Sequence, residues 1–225
     1  MTALLMLHNS KETAFVWRRV ADSLPQLWGV VAPDLHSTVK TALQDSKPEQ
    51  IAKALQTAVN RDLATLGITE PVVLVAAGDA AVTALNFAAY NPQRVRAIFL
   101  SEPVFRVSSG QVSLAKLKTN FSGRRKKRTI SDPSQELNYL RALASFASQP
   151  SVTIDSPDSV LREIPMRILV AEKERSIARK VRELAEKCEQ IEYFPIHGAE
   201  AGWNDYAPAQ YAANIAEFVA QLDHT

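Results

Sequence analysis

Two periodicities alternate along the chain. Ala3–Leu7, Trp28–Ala32, Pro71–Ala76, Arg96–Leu100, Arg167–Ala171 and Ile191–Ile196 are short apolar runs, which predict strands. Between them apolar residues recur at helical spacing. Phe15, Val16, Val20 and Leu24 form one such stripe, and Ile51, Leu55, Val59 and Leu63 form another within Lys47–Leu66. Ser46 and Pro48 supply start signals for that second helix, and Asn91-Pro92 stops an Ala-rich helix over Ala80–Tyr90. Ile177–Lys187 and Ala209–Leu222 complete the helical set. The Pro71–Ala76 run is apolar on both faces, as in a parallel sheet covered by helices. Regular strand–helix alternation implies right-handed crossovers. The predicted fold class is α/β: an open, mostly parallel sheet of about six strands with helices on both faces.

Residues 105–163 break the alternation. They hold no clear strand, Ser-rich turns and one helix near Ser134–Ser148, and read as an insertion within a single domain spanning 1–225. Charge is concentrated there. Residues 103–131 carry eight basic side chains and no acid, which leaves −6 on the rest of a chain whose total is +2. The densest part is Arg124, Arg125, Lys126, Lys127 and Arg128. Such a run is usually a solvated loop, and it is also a candidate contact for a polyanion. Only Phe121 stands near it for base stacking, which argues against a single-strand nucleic-acid site.

Composition removes several classes of function. The 46% hydrophobic content excludes a disordered chain. One cysteine, Cys188, excludes a disulfide framework and fits a reducing compartment. No apolar run approaches a membrane span of about 18 residues. The opening MTALLMLHNSKE has no basic segment before an apolar one, so neither a signal peptide nor a membrane role is expected, and a cytoplasmic location is. The His and Cys spacing does not suit a metal site. No glycine-rich phosphate loop occurs, so no cofactor is expected.

Four pieces of sequence, in order, resemble the α/β-hydrolase family. LLMLHN, FVWRRVADSL and VVAPDL are similar to its opening strand, helix and second strand. PVVLVAAGDAAVTALNFAAYNPQRVRAIFLSEP is similar to its central strand, nucleophile turn, helix and next strand. IPMRILVAEKERSI resembles the strand that leads to the catalytic acid. GAEAGWNDYAPAQYAANIAEFV resembles the loop of the catalytic His and the last helix. The family's opening antiparallel strands have no counterpart, so the resemblance is to a short member, with residues 105–163 in place of the lid.

The resemblance implies a triad, and this chain lacks it. The nucleophile turn, Gly-x-Ser-x-Gly in the family, falls on Ala76-Ala77-Gly78-Asp79-Ala80, fourteen residues before Pro92. Gly78 offers no attacking oxygen. The base slot falls on Ala201, which cannot take a proton. The acid slot falls on Arg175, with Glu174 one residue early, and a cation there opposes an imidazolium. The oxyanion-loop glycine after His8 is Asn9. Only 7 glycines occur in 225 residues, against a usual share near 7%, because several family turns are without theirs.

The expected function is therefore that of a catalytically inactive α/β-hydrolase-fold protein, a pseudohydrolase with a binding, regulatory or scaffolding role. Its partner is an unidentified protein or small molecule. The candidate binding residues are His8, Asn9, Gly78, Asp79, Glu174, Arg175, Ala201 and Trp203, with Trp203 placed to close over the pocket. The alternatives are a residual esterase-like hydrolase or lyase using Asp79, Glu174 or His197, and a small-ligand receptor. His8 is expected to be structural, Cys188 inert, Trp17 and Trp28 core, and His36 and His224 exposed.

Overall fold

The computed structural model describes the chain apart from residues 1, 46–47, 122–130, 147–153, 155, 157–158, 201 and 225. All six apolar runs become strands: β1 (Ala3–Leu7), β2 (Gly29–Val31), β3 (Val72–Ala77), β4 (Val95–Ser101), β5 (Met166–Ala171) and β6 (Ile191–Ile196). They form one sheet in the order β2-β1-β3-β4-β5-β6, and each pairing is parallel. The expected "mostly parallel" sheet is entirely so among the described residues.

Alternation along each strand divides the core in two. Leu5, Leu7, Leu74, Ala76, Ile98 and Leu100 face one layer. Leu4, Met6, Val73, Val75, Ala97 and Phe99 face the other. The first layer holds α2 (Leu35–Asp45), α3 (Pro48–Thr65), α4 (Ala80–Tyr90), α5 (Ser109–Phe121), α6 (Pro133–Phe146) and α7 (Arg175–Lys187). The second holds α1 (Arg18–Ala21), α8 (Trp203–Tyr206) and α9 (Pro208–Leu222). β3 and α4 are buried along nearly their whole length. Each fully buried Val or Leu of β3 contributes roughly 1.5–3 kcal/mol. Small side chains let α4 lie close to the sheet while Thr83 bonds Tyr139 Oη of α6 at 3.1 Å.

Several expectations need correction. The helix expected over Phe15–Leu24 is a 3₁₀ turn, Ala14–Trp17, running into the four-residue α1. Helix α2 was not expected at all, and it buries His36 at 3% exposure. Among the described residues the insertion contains two α-helices, α5 and α6, rather than one. It is no solvated flap: Tyr139, Ala142 and Leu143 are buried in the first core layer. Trp28 is half-buried, because β2 is an outer strand. Trp17 is buried as expected, and Cys188 is buried too.

Candidate functional site

β1 leads back to β2 on one side, whereas β3 leads on to β4 on the other. The crevice at this reversal lies beyond the carboxyl ends of β1 and β3, where open parallel sheets place their ligands. Asn9 and Gly78 stand at those two ends. Gly78 turns with φ +59°, a left-handed value that glycine adopts without a Cβ penalty. A Cβ there would sit 3.3 Å from Asn9 Cβ. The expected tight turn between the central strand and its helix is thus present.

Asp79 follows at the start of α4 and is 9% exposed. Its Oδ1 accepts from Ser10 N at 2.8 Å, and its Oδ2 accepts from Ser10 Oγ at 2.5 Å. Burial pushes its pKa up, against the pull of those two bonds. Both oxygens are therefore committed to the β1 loop, and no imidazole is bonded to them.

Two cavities of about 190 Å³ each meet at Asn9 and Gly78. The first lies under the insertion, against Ser10, Lys11, Asp79, Glu136 and Leu140. Asp132 caps α6 by accepting from Ser134 N and Gln135 N at 2.9 and 3.0 Å. Ser131 clamps the insertion to the β1 loop, its N–H on Lys11 O at 2.9 Å and its hydroxyl on Ser10 O at 2.8 Å. The second cavity lies toward β4 and β5, against Ser101, Glu102, Glu174, Ile177, Gly202 and Asn204.

Glu102, directly after β4, is the unexpected feature. It has φ +49°, the one positive value on a described residue other than glycine. Such a backbone costs roughly 1–2 kcal/mol. It is 8% exposed, and Oε1 accepts from Ala171 N at 2.7 Å while Oε2 has no partner. Burial pushes its pKa to about 7, and Glu174 adds to the rise. Glu12 behaves alike: burial raises it to about 7, and Oε2 is unpaired. Asn204, 1% exposed, turns its amide toward the Glu12 carboxyl, which tempers the rise there. Strain, orphaned polar atoms and raised carboxyls thus gather round one crevice, a pattern of functional sites.

The sequence-derived residues divide accordingly. Asn9, Gly78, Asp79 and Glu174 line the two cavities. Arg175 is exposed on the first turn of α7 and lines neither; no ion pair joins it to Asp79 or Glu174. Trp203 does not close over the pocket. It lies in the second core layer at 1% exposure, its ring 4.6 Å from that of Tyr211. His8 is also fully buried. Its Nδ1–H donates to Asn9 O at 3.0 Å and its Nε2 accepts from Leu35 N at 3.2 Å. That ring ties β1 to α2, and burial together with neighbouring His36 lowers its pKa to about 4. His197 points outward, its Nδ1 3.6 Å from Glu172. Ala201 and the run Arg124, Arg125, Lys126, Lys127 and Arg128 fall outside the described residues.

Sequence reasoning missed Ser10, Glu12, Glu102 and Asn204. Only Glu102 carried a usable signal, as an acid directly beyond the carboxyl end of a buried strand. No group of three His, Cys, Asp or Glu among the described residues could hold a metal ion. No described helix is long and apolar enough to cross a membrane.

No protein-family model and no curated protein matches the sequence. Solved structures do match. A thermophilic esterase from Thermogutta terrifontis superposes with a TM-score of 0.74 at 16% identity, over 99% of this chain and 90% of that one. An epoxide hydrolase from Vigna radiata gives 0.66 at 15%, over 98% and 91%. A haloalkane dehalogenase from Agrobacterium tumefaciens C58 gives 0.61 at 17%, over 99% and 90%.

Proposed function

The α/β-hydrolase fold, shared with esterases, epoxide hydrolases and haloalkane dehalogenases, is the frame within which we propose a catalytically inactive protein that binds a small molecule in its crevice. One observation carries this reading. At the turn where the fold presents a nucleophile, Gly78 contributes backbone only, and the next side chain, Asp79, has both oxygens bonded to Ser10. A carboxylate held in this way is buried with both oxygens already accepting from Ser10, and no imidazole bonded to it can relay a proton.

The two cavities at the sheet's switch point supply the binding role. They are small and partly polar, and the insertion packs over one of them. The experiment is hydrolysis of short p-nitrophenyl esters by purified protein, alongside labelling with a fluorophosphonate probe. Turnover at the level of buffer and no labelling are expected. Clear turnover that disappears in Asp79→Asn would overturn the reading and favour a residual enzyme.

A further inference from the structure

We propose that the cavity under the insertion binds a short aliphatic carboxylate. This deepens the binding reading above and rests on it. The hydrogen bonds already made at the lining set the class of ligand. Asn9 holds its amide in one orientation: Oδ1 accepts from Lys11 N at 2.9 Å, so the NH2 group is what it offers. That group faces the cavity floor, with Nδ2 3.7 Å from the point where a Cβ on Gly78 would stand. Gln111, on the exposed first turn of α5, is fixed in the same sense. Its Oε1 accepts from Ser108 N at 2.8 Å and from Ser108 Oγ at 3.2 Å, which leaves its NH2 group as the donor. Lys11 adds an exposed ammonium to the lining and is in no ion pair among the described residues.

The acceptors of the lining are committed or opposed. Both Asp79 oxygens accept from Ser10. Glu136 is the other carboxyl. Set against it are Lys11 and the N-terminus of α4, which starts directly behind Gly78 and Asp79 and has no acid in its first turn. Two NH2 groups and an ammonium thus face a cavity whose own acceptors are largely taken. The ligand that fits them is all acceptor, and a carboxylate brings two oxygens with no N–H or O–H of its own. Val104, Leu114, Ala115 and Leu140 wall the rest of the cavity, which suits an aliphatic tail and would go uncovered by an inorganic anion. A volume of about 190 Å³ holds roughly six heavy atoms at ~30 Å³ each, the size of butyrate.

Butyrate is the probe, titrated at pH 7 into the isotope-labelled full-length protein and followed in two-dimensional amide NMR spectra. The Gly78 N–H and the side-chain NH2 pairs of Asn9 and Gln111 report on the site. Butyramide keeps the shape without the charge, and butylammonium reverses the charge. So small a ligand should bind with a dissociation constant of about 1–5 mM. Butyramide should bind about tenfold more weakly, and butylammonium should leave those signals unmoved. Asn9→Asp and Gln111→Glu keep the acceptors for Lys11 N–H and Ser108 N–H but put a charged oxygen in place of NH2, and each should weaken butyrate about tenfold or more. Lys11→Met should weaken it about two- to fivefold, and Glu136→Gln, which removes the opposing charge, should tighten it by about the same factor.

The proposal is overturned if butyrate moves none of those signals at about 50 mM, if butyramide or butylammonium binds as well as butyrate, if Asn9→Asp and Gln111→Glu both keep wild-type affinity, or if Glu136→Gln weakens it. Should Asn9→Asp not fold, Gln111→Glu and Lys11→Met, both at exposed positions, decide. Binding of butylammonium in place of butyrate would discard the carboxylate and keep the crevice as a binding site. Ester turnover lost in Asp79→Asn would sink the inactive-protein reading alone, since butyrate binding is measured without it.

Discussion

Replacing Glu102 by Gln should make the empty protein more stable, and only above about pH 4.5. The carboxyl sits behind β4 with a pKa raised by burial to about 7, against an ordinary 4.5. Below pH 4.5 it is protonated in the folded and unfolded chain alike, and its contribution is fully present. As pH rises through 4.5 toward 7 the unfolded chain releases the proton first, and the fold loses stability. At ~1.36 kcal/mol per pH unit this loss reaches about 3 kcal/mol above pH 7. Glutamine stays neutral throughout and still accepts from Ala171 N–H through its carbonyl. Glu12, Glu174 and Tyr211 remain as the titratable neighbours of this region and are common to both proteins. Urea unfolding followed by the fluorescence of buried Trp17 and Trp203 at pH 4, 6 and 8 measures the difference. At pH 8 the variant should gain about 3 kcal/mol, or roughly 6–12 °C in melting temperature for a chain of this size. At pH 4 the two curves should coincide. A gain of equal size at both pH values, or no gain at pH 8, refutes the reasoning.

Three further outcomes are expected. His8, neutral in the fold with its pKa lowered to about 4, should cost stability as pH falls from 6.5 to 4, by about 3 kcal/mol in all; His8→Gln should flatten that part of the acid-unfolding profile. Gly78→Ser should lose about 1–2 kcal/mol in urea unfolding from its positive φ and gain no ester turnover, because triad residues act as a unit. We also propose a polyanion contact at Arg124–Arg128: an alanine version of the run should leave a heparin column at lower salt than the wild type, and identical elution would make the run a solvated loop.

The sheet was readable because its strands are buried on both faces, so their sequences are apolar without interruption. Gly78 was readable because a left-handed turn between strand and helix narrows the choice of residue. Helix α2 was hidden, since His36, Ser37 and Thr38 read as a turn. What buries His36 is the ring of His8 at 4.8 Å and that of Tyr139 at 5.5 Å, more than a hundred residues along the chain in the second case. Glu102 escaped for the same reason. A glutamate after a strand looks like a solvated end, and its partner, the Ala171 amide, lies 69 residues away. Trp203 stood beside the loop that resembles the family's catalytic-His loop and suggested a cover. Packing on Tyr211 drew it inward, since an indole gains more from burial than from guarding a crevice.

The outer strands have a consequence of a different kind. A parallel sheet ends in two rows of backbone donors and acceptors, each able to template another chain. Here one row, on β2, is only three residues long. The other, on β6, is interrupted by Pro195, which has no N–H to give. The same six strands that build the crevice therefore stop short of offering a continuous ribbon to a neighbour.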